Sequence, residues 1–186
     1  MFLYLWSRRA LERVGRPVTS STHPRFVADK TLGRLARWLR ILGCDVLYGS
    51  NFSGTGLLAA ARREDRFVLT RDRRLAKERE APAVLRIDSD GFRAQLRQVV
   101  EAFAIDPWAD LFQRCVECNA ELHAVAREEV AGRVPEFVLA TQRSFRRCSR
   151  CGHLYWEATH VERVRRELAA MGLGVGRDAG PVEAPR

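Results

Sequence analysis

Phe26 to Gly43 reads FVADKTLGRLARWLRILG, and this stretch decides the fold. Phe26, Val27 and Ala28 form a short buried strand that ends at Asp29. A helix follows at once, because Leu32, Leu35, Ala36, Leu39 and Leu42 recur at helical spacing. Its other side carries Lys30, Arg34, Arg37 and Arg40, with no acid among them. A carboxylate therefore stands where a strand hands over to a basic helix. In open α/β sheets, ligands bind at the carboxyl ends of the strands. The question for the rest of the chain is whether other acids collect at the same edge.

They do. CDVLY (residues 44–48) reads as a second strand, followed by the turn-rich loop GSNFSGTG and a helix from Leu57 to Arg63. RFVLT (66–70) is a third strand, with Asp72 two residues beyond it. A short helix is expected from Leu75 to Glu78. AVLRI (83–87) is a fourth strand, followed by Asp88, Ser89 and Asp90. Phe92, Leu96, Val99, Val100 and Phe103 mark one face of another helix, which Ser89 or Asp90 would cap. Strands alternating with helices imply a parallel sheet with helices on both faces. Asp29, Asp72, Asp88 and Asp90 then share one carboxyl edge. Clustered carboxylates suit Mg²⁺ or Mn²⁺. In a basic setting they point to metal-assisted cleavage of a phosphodiester. The plainer reading makes each Asp a turn or helix cap, and Asp90 fits that well. No glycine-rich nucleotide fingerprint follows any strand.

Composition agrees with an anionic partner. The chain has 186 residues and a formal net charge of +9, which favours nucleic acid. No apolar run approaches the roughly 18 residues of a membrane span. The opening MFLYLW is too short, and has the wrong flanks, for a signal peptide, so a cytoplasmic location is the default expectation. Residues 7–13 are compatible with a short amphipathic helix. Lys30, Arg34 and Arg37 fall on one helix face and, with Arg71, are candidates to hold phosphates. Trp38 reads as core, as does the lone Cys44.

After an Asp106–Phe112 linker with an anchoring tryptophan come two C-x-x-C pairs, Cys115/Cys118 and Cys148/Cys151. Four thiolates at this spacing make a closed, structural tetrahedral Zn²⁺ site. Bound zinc would take the formal charge from +9 to about +7. Leu122–Arg127, Phe137–Leu139 and Leu154–Trp156 read as strands of a zinc ribbon. Arg143, Arg146, Arg147 and Arg150 crowd the second knuckle without an acid nearby in sequence. His153 is surplus to the four thiolates. Thr159-His-Val-Glu162 fits a capping box for a final helix, and Gly172–Arg186 has the composition of a disordered tail.

FVADKTLGRLARWLRILGCDVLY, FVLTRDRRLAK, the first C-x-x-C, GRVPEF and RRCSRCGHLYWEATHVERVRREL, in that order, resemble the Mut-seven C-terminal RNase family. The resemblance covers nearly all of residues 25–170. It implies a PIN-like open parallel sheet with flanking helices, fused to a zinc ribbon and terminal helix. The implied division is an N-terminal extension (1–24), a PIN-like nuclease domain (25–104), a ribbon with C-terminal helix (105–171) and a tail (172–186). It implies Asp29 and Asp72 as ligands of a catalytic Mg²⁺ or Mn²⁺, Asp90 as a weaker third acid, RNA as partner and, by analogy, a homodimer. One departure stands out. Relatives carry an acidic run after the second strand, whereas Asn51-Phe-Ser-Gly-Thr-Gly56 has no carboxylate. Fewer ligand charges mean weaker metal binding. Three functions follow in order of expectation: a metal-dependent ribonuclease, a non-catalytic RNA- or ribosome-binding protein on the same fold, and a PIN-type toxin.

Overall fold

The computed structural model describes residues 24–50, 52–75, 83–156 and 159–173. The expected helices at 7–13 and 75–78 and the tail beyond residue 173 lie wholly or largely outside them. The Thr159 side chain of the expected capping box is also outside the description, while Glu162 pairs with Arg165.

Four parallel strands form the first sheet: β1 (Phe26–Ala28), β2 (Val46–Tyr48), β3 (Phe67–Thr70) and β4 (Val84–Arg86). Their order is β2-β1-β3-β4, with Ala28 beside Leu69 and Leu69 beside Leu85. Alternate side chains on a strand face opposite ways, so each face builds its own core. Phe26, Ala28, Val46 and Leu69 meet α1 (Gly33–Ile41) and α3 (Phe92–Phe103) on one face. Val27, Val68 and Val84 meet Leu57, Leu58, Ala60 and Ala61 of α2 (Gly54–Glu64) on the other. A 3-10 turn (Lys30–Leu32) joins β1 to α1. The α/β architecture expected from the sequence is present. Helix α2 begins three residues earlier than its apolar pattern predicts.

The second sheet is antiparallel, β5 (Leu122–Val125), β6 (Phe145–Cys148) and β7 (Leu154–Trp156), with β6 central. Short helices α4 (Arg127–Val130) and α5 (Glu136–Thr141) lie between β5 and β6. The expected strand Phe137–Leu139 is therefore helical. Val138 is buried against Val130, Val134 and Phe145, while Phe137 is 70% exposed. The final helix α6 (Thr159–Ala170) returns to the first sheet and buries Val164 and Leu168 in the core beneath α1 and α3. Leu173 joins the same core, and its carbonyl accepts from Trp108 Nε1 at 3.2 Å. It is packed, not part of a free tail.

The two sheets are tied together at the start of β2. Arg40 was expected on the solvent side of α1, but it is 4% exposed. Its guanidinium donates to the carbonyls of Val46, Val116 and Glu117 at 2.8–3.1 Å. Asn119 accepts from Val46 N at 2.9 Å and donates to Asp45 at 2.6 Å. Burial by itself would raise the Asp45 pKa, but hydrogen bonds from Arg66 and Asn119 outweigh it and hold the carboxyl below its ordinary value. Gly43 has φ +87°, and a Cβ there would lie 2.4 Å from the Asp110 carbonyl oxygen. Gly43→Ala is expected to destabilise the chain by about 2 kcal/mol or more, since left-handed backbone alone costs an L-residue roughly 1–2 kcal/mol. Chemical denaturation checks this.

Candidate functional site

In a 2-1-3-4 sheet the chain leaves β1 and β3 in opposite directions, and the crevice between them is where ligands enter. Asp29 follows β1, Thr70 ends β3, and Asp72 lies two residues beyond it. Asp29 is buried. Its Oδ1 accepts from Thr31 N at 2.9 Å, and its Oδ2 accepts from Thr70 Oγ1 at 3.4 Å. Thr70 is fully buried, and its Oγ1 in turn accepts from Asp72 N at 3.0 Å. One hydroxyl has one proton. Because it receives the Asp72 N–H, its own proton is left for Asp29. Thr70 thus links the two expected site residues across the β1–β3 crevice.

Both aspartates also do local work. Asp29 caps the 3-10 turn, and Asp72 Oδ1 accepts from Arg74 N at 2.7 Å. The turn-forming reading of these two residues is met.

Asp90 behaves differently. It does not cap α3, whose N-cap is Gly91 without a side-chain bond. It is exposed and ion-paired with Arg71. Asp88 pairs with Arg86. Among the described residues no three carboxylates converge within metal-ligand reach.

The basic candidates are placed as follows. Lys30 is exposed, with no ion pair among the described residues. The Arg34 guanidinium carbon lies over the Phe92 ring, 3.6 Å from its centroid, and Phe92 packs against Trp38. Trp38 is half-buried against the core, as expected. Arg37 is turned away, in a two-pronged bond to Glu117 at 2.8 and 2.9 Å. Only Lys30, Arg34 and Arg71 of the four stand at the carboxyl edge.

The thiols meet the expectation directly. The Sγ atoms of Cys115, Cys118, Cys148 and Cys151 lie within 4.8 Å of one another. Cys115 and Cys151 are 3.6 Å apart, and Cys118 and Cys148 are 3.3 Å apart. Zn–S bonds of about 2.3 Å in a tetrahedron place sulfurs about 3.8 Å apart, so the donor set and spacing fit one zinc ion.

The two knuckles are built alike. Cys115 N donates to Ala120 O and Asn119 N to Cys115 O; Cys148 N donates to His153 O and Gly152 N to Cys148 O. The residue after each second cysteine is left-handed, Asn119 at φ 69° and Gly152 at φ 72°, a conformation that Gly and Asn tolerate best. Without metal, burial opposes ionisation of Cys118, but the Ala120 N–H and neighbouring thiols bring it down to about 6. The His153 N–H favours the Cys151 thiolate, but burial and the neighbouring thiols push that group up to about 12, so the four close sulfurs share protons unequally; zinc requires all four as thiolates.

Sequence reading missed Tyr155. Its hydroxyl lies 3.1 Å from Cys115 Sγ and accepts from Val116 N at 3.2 Å; to a Cys115 thiolate, which has no proton, it can only donate. Tyr155→Phe is expected to weaken zinc binding about 10-fold or more, as loss of such supporting bonds does; competition with a chromophoric chelator measures it. Arg40 and Asn119 were also missed as supports of the first knuckle. The remaining thiol, Cys44, is buried and pushed up to about 12 by that burial, which makes it a packing residue as expected.

The family model of the Mut7-C RNAse domain matches residues 24–168. The chain belongs to that family. No curated protein and no solved structure matches it. A nuclease-like function follows from membership of the Mut7-C RNase domain family, and the four-cysteine cluster could hold a structural zinc ion. Among the described residues no helix is long and apolar enough to cross a membrane.

Proposed function

We propose that this chain is a cytoplasmic, metal-dependent ribonuclease whose reaction centre lies between β1 and β3. The observation that carries the reading is the Asp29–Thr70–Asp72 linkage at the sheet's crossover point. Asp29 and Asp72 would hold Mg²⁺ or Mn²⁺, with Asp90 the third acid once Arg71 is drawn to substrate. Mg²⁺ commonly binds through one or two carboxylates, keeping waters and substrate phosphate as its other ligands, so two aspartates are a sufficient donor set. An ion held there would supply an activated water and charge for the leaving oxygen.

The chain's own residues do the rest. Thr70 fixes the Asp29 carboxylate and the backbone of Asp72. Lys30, Arg34 and Arg71 offset phosphate charge, and Phe92 keeps the Arg34 side chain spread instead of folded onto an acid. The catalytic unit would span residues 25–104, with residues 105–171 supporting it.

Incubation with end-labelled single-stranded RNA tests this in Mn²⁺, in Mg²⁺ and without divalent ion. Cleavage is expected only with metal. Binding without cleavage in any metal would favour the alternative, an RNA-binding protein on a nuclease fold, for which the acid-free loop between β2 and α2 is the supporting observation.

A further inference from the structure

The ribbon has a groove that the carboxylate edge does not use. It is an open trough of about 750 Å³ beside the second knuckle. Strands β5 and β6 bring His123 and Arg147, which stand opposite each other in register. Helix α4 and the turn after it bring Glu129 and Arg133, and the knuckle loop brings Arg150. Three arginines therefore share the lining with one carboxylate. The sequence suggested an arginine cluster with no acid near; Glu129 supplies one, but weakly. One of its oxygens caps Ala126 N at 3.0 Å, and the other reaches Arg147 only at 3.7 Å. Arg150 is anchored to the Cys118 carbonyl, which fixes it across the two knuckles. Arg133 is exposed, with no ion pair among the described residues.

We infer that this groove is a second contact for the phosphate backbone of single-stranded RNA, separate from the carboxylate edge. Planar guanidinium groups match phosphate oxygens in pairs and give up water readily. An open trough with a net positive lining suits a polyanion running through it better than an enclosed small molecule. The choice of RNA over an acidic polypeptide rests on the ribonuclease reading. In that role the ribbon holds the strand while the sheet edge acts on it. Arg133 and Arg147 then contribute to binding and not to the chemical step.

Two variants of the full, zinc-loaded chain move the lining charge in opposite directions. Fluorescence anisotropy of labelled single-stranded RNA, titrated with salt and without Mg²⁺ or Mn²⁺, reads both. Each phosphate contact to a single strand contributes a slope of about 0.7 in log K against log salt. Arg133→Gln is expected to lower the slope by about that amount and weaken binding about fivefold at 0.1 M salt. Glu129→Gln retains an oxygen for the Ala126 cap and is expected to tighten binding; a misfolded variant would not. Unchanged affinity and slope in both variants, with wild type still binding, would overturn the groove and leave the nuclease reading intact. Variants that instead change binding of polyglutamate, with RNA unaffected, would assign the groove to an acidic protein and also overturn it. A groove that responds as expected in a chain that never cleaves would sustain this inference and remove the nuclease reading. Wild type that binds no RNA at low salt would remove both.

Discussion

Asp29→Asn is expected to lower the rate of RNA cleavage by at least about 100-fold while leaving RNA affinity within about twofold. A metal ligand contributes several kcal/mol to stabilising transition-state charge, and each 1.36 kcal/mol is tenfold in rate. The substitution is unusually clean here. Asn keeps an oxygen to accept from Thr31 N, so the 3-10 turn that starts α1 is retained. What it loses is the second charged oxygen, which Thr70 holds. Thr70→Val separates geometry from charge. It removes the proton given to Asp29 and the acceptor of Asp72 N, and leaves both carboxylates in the chain. A smaller fall in rate is expected, together with a higher Mn²⁺ requirement, because both ligands lose their common anchor. Single-turnover kinetics across a Mn²⁺ titration distinguishes the two variants.

Loss of zinc is the second large effect. Cys148→Ser, or prolonged chelation, is expected to destabilise the chain by about 5 kcal/mol or more. Structural zinc supplies roughly 10–16 kcal/mol to small domains that depend on it. In a chain of this size 1 kcal/mol shifts Tm by about 2–4 °C, so the fall in Tm is about 10 °C or more. The damage should reach the parallel sheet. Arg40 is buried and takes the carbonyls of Val116 and Glu117 as acceptors. Burial pulls its pKa below the ordinary value, and the Cys115 and Cys118 thiolates and Glu117 push it back. A knuckle that opens leaves this guanidinium buried with only the Val46 carbonyl as acceptor, which is costly. Asn119 would also release Val46 N and Asp45 at the start of β2. Circular dichroism melts with and without chelator measure the shift. A helical signal that melts at the same temperature in both would mean the ribbon and sheet are independent.

Local pattern disclosed most of the first sheet. Phe26–Ala28 and Phe67–Thr70 are short, apolar and closed by polar residues, and Leu32, Leu35, Leu39 and Leu42 repeat at the helical period; all of these are buried as that pattern demands, apart from half-buried Phe67. The four-cysteine cluster was legible because metal chemistry imposes a spacing.

The misreadings came from distant partners. Arg40 looked like one more solvent arginine, and what buries it is a carbonyl pair 76 and 77 residues away. Phe137–Leu139 reads as an apolar strand run, and its out-then-in burial at Phe137 and Val138 would suit a strand equally well; the segment is nonetheless a short helix that packs Val138 on Phe145. Strand β6 was hidden by its arginines. Its pairing with β5 and β7 is set by backbone register, which two charged residues in four obscure. At the carboxyl edge, the sequence gathers Asp29, Asp72 and Asp90 by topology alone; only the side-chain geometry separates the first two, joined through Thr70, from Asp90, taken up by Arg71.

The most direct test of the account is single-turnover cleavage of labelled single-stranded RNA in Mn²⁺ by wild type and Asp29→Asn, with RNA binding followed in the same samples. The account predicts metal-dependent cleavage by wild type, at least about 100-fold slower in the variant, with binding retained in both. Equal cleavage by the two proteins would contradict the placement of the reaction between β1 and β3, and equal binding with no cleavage by either would contradict catalysis itself.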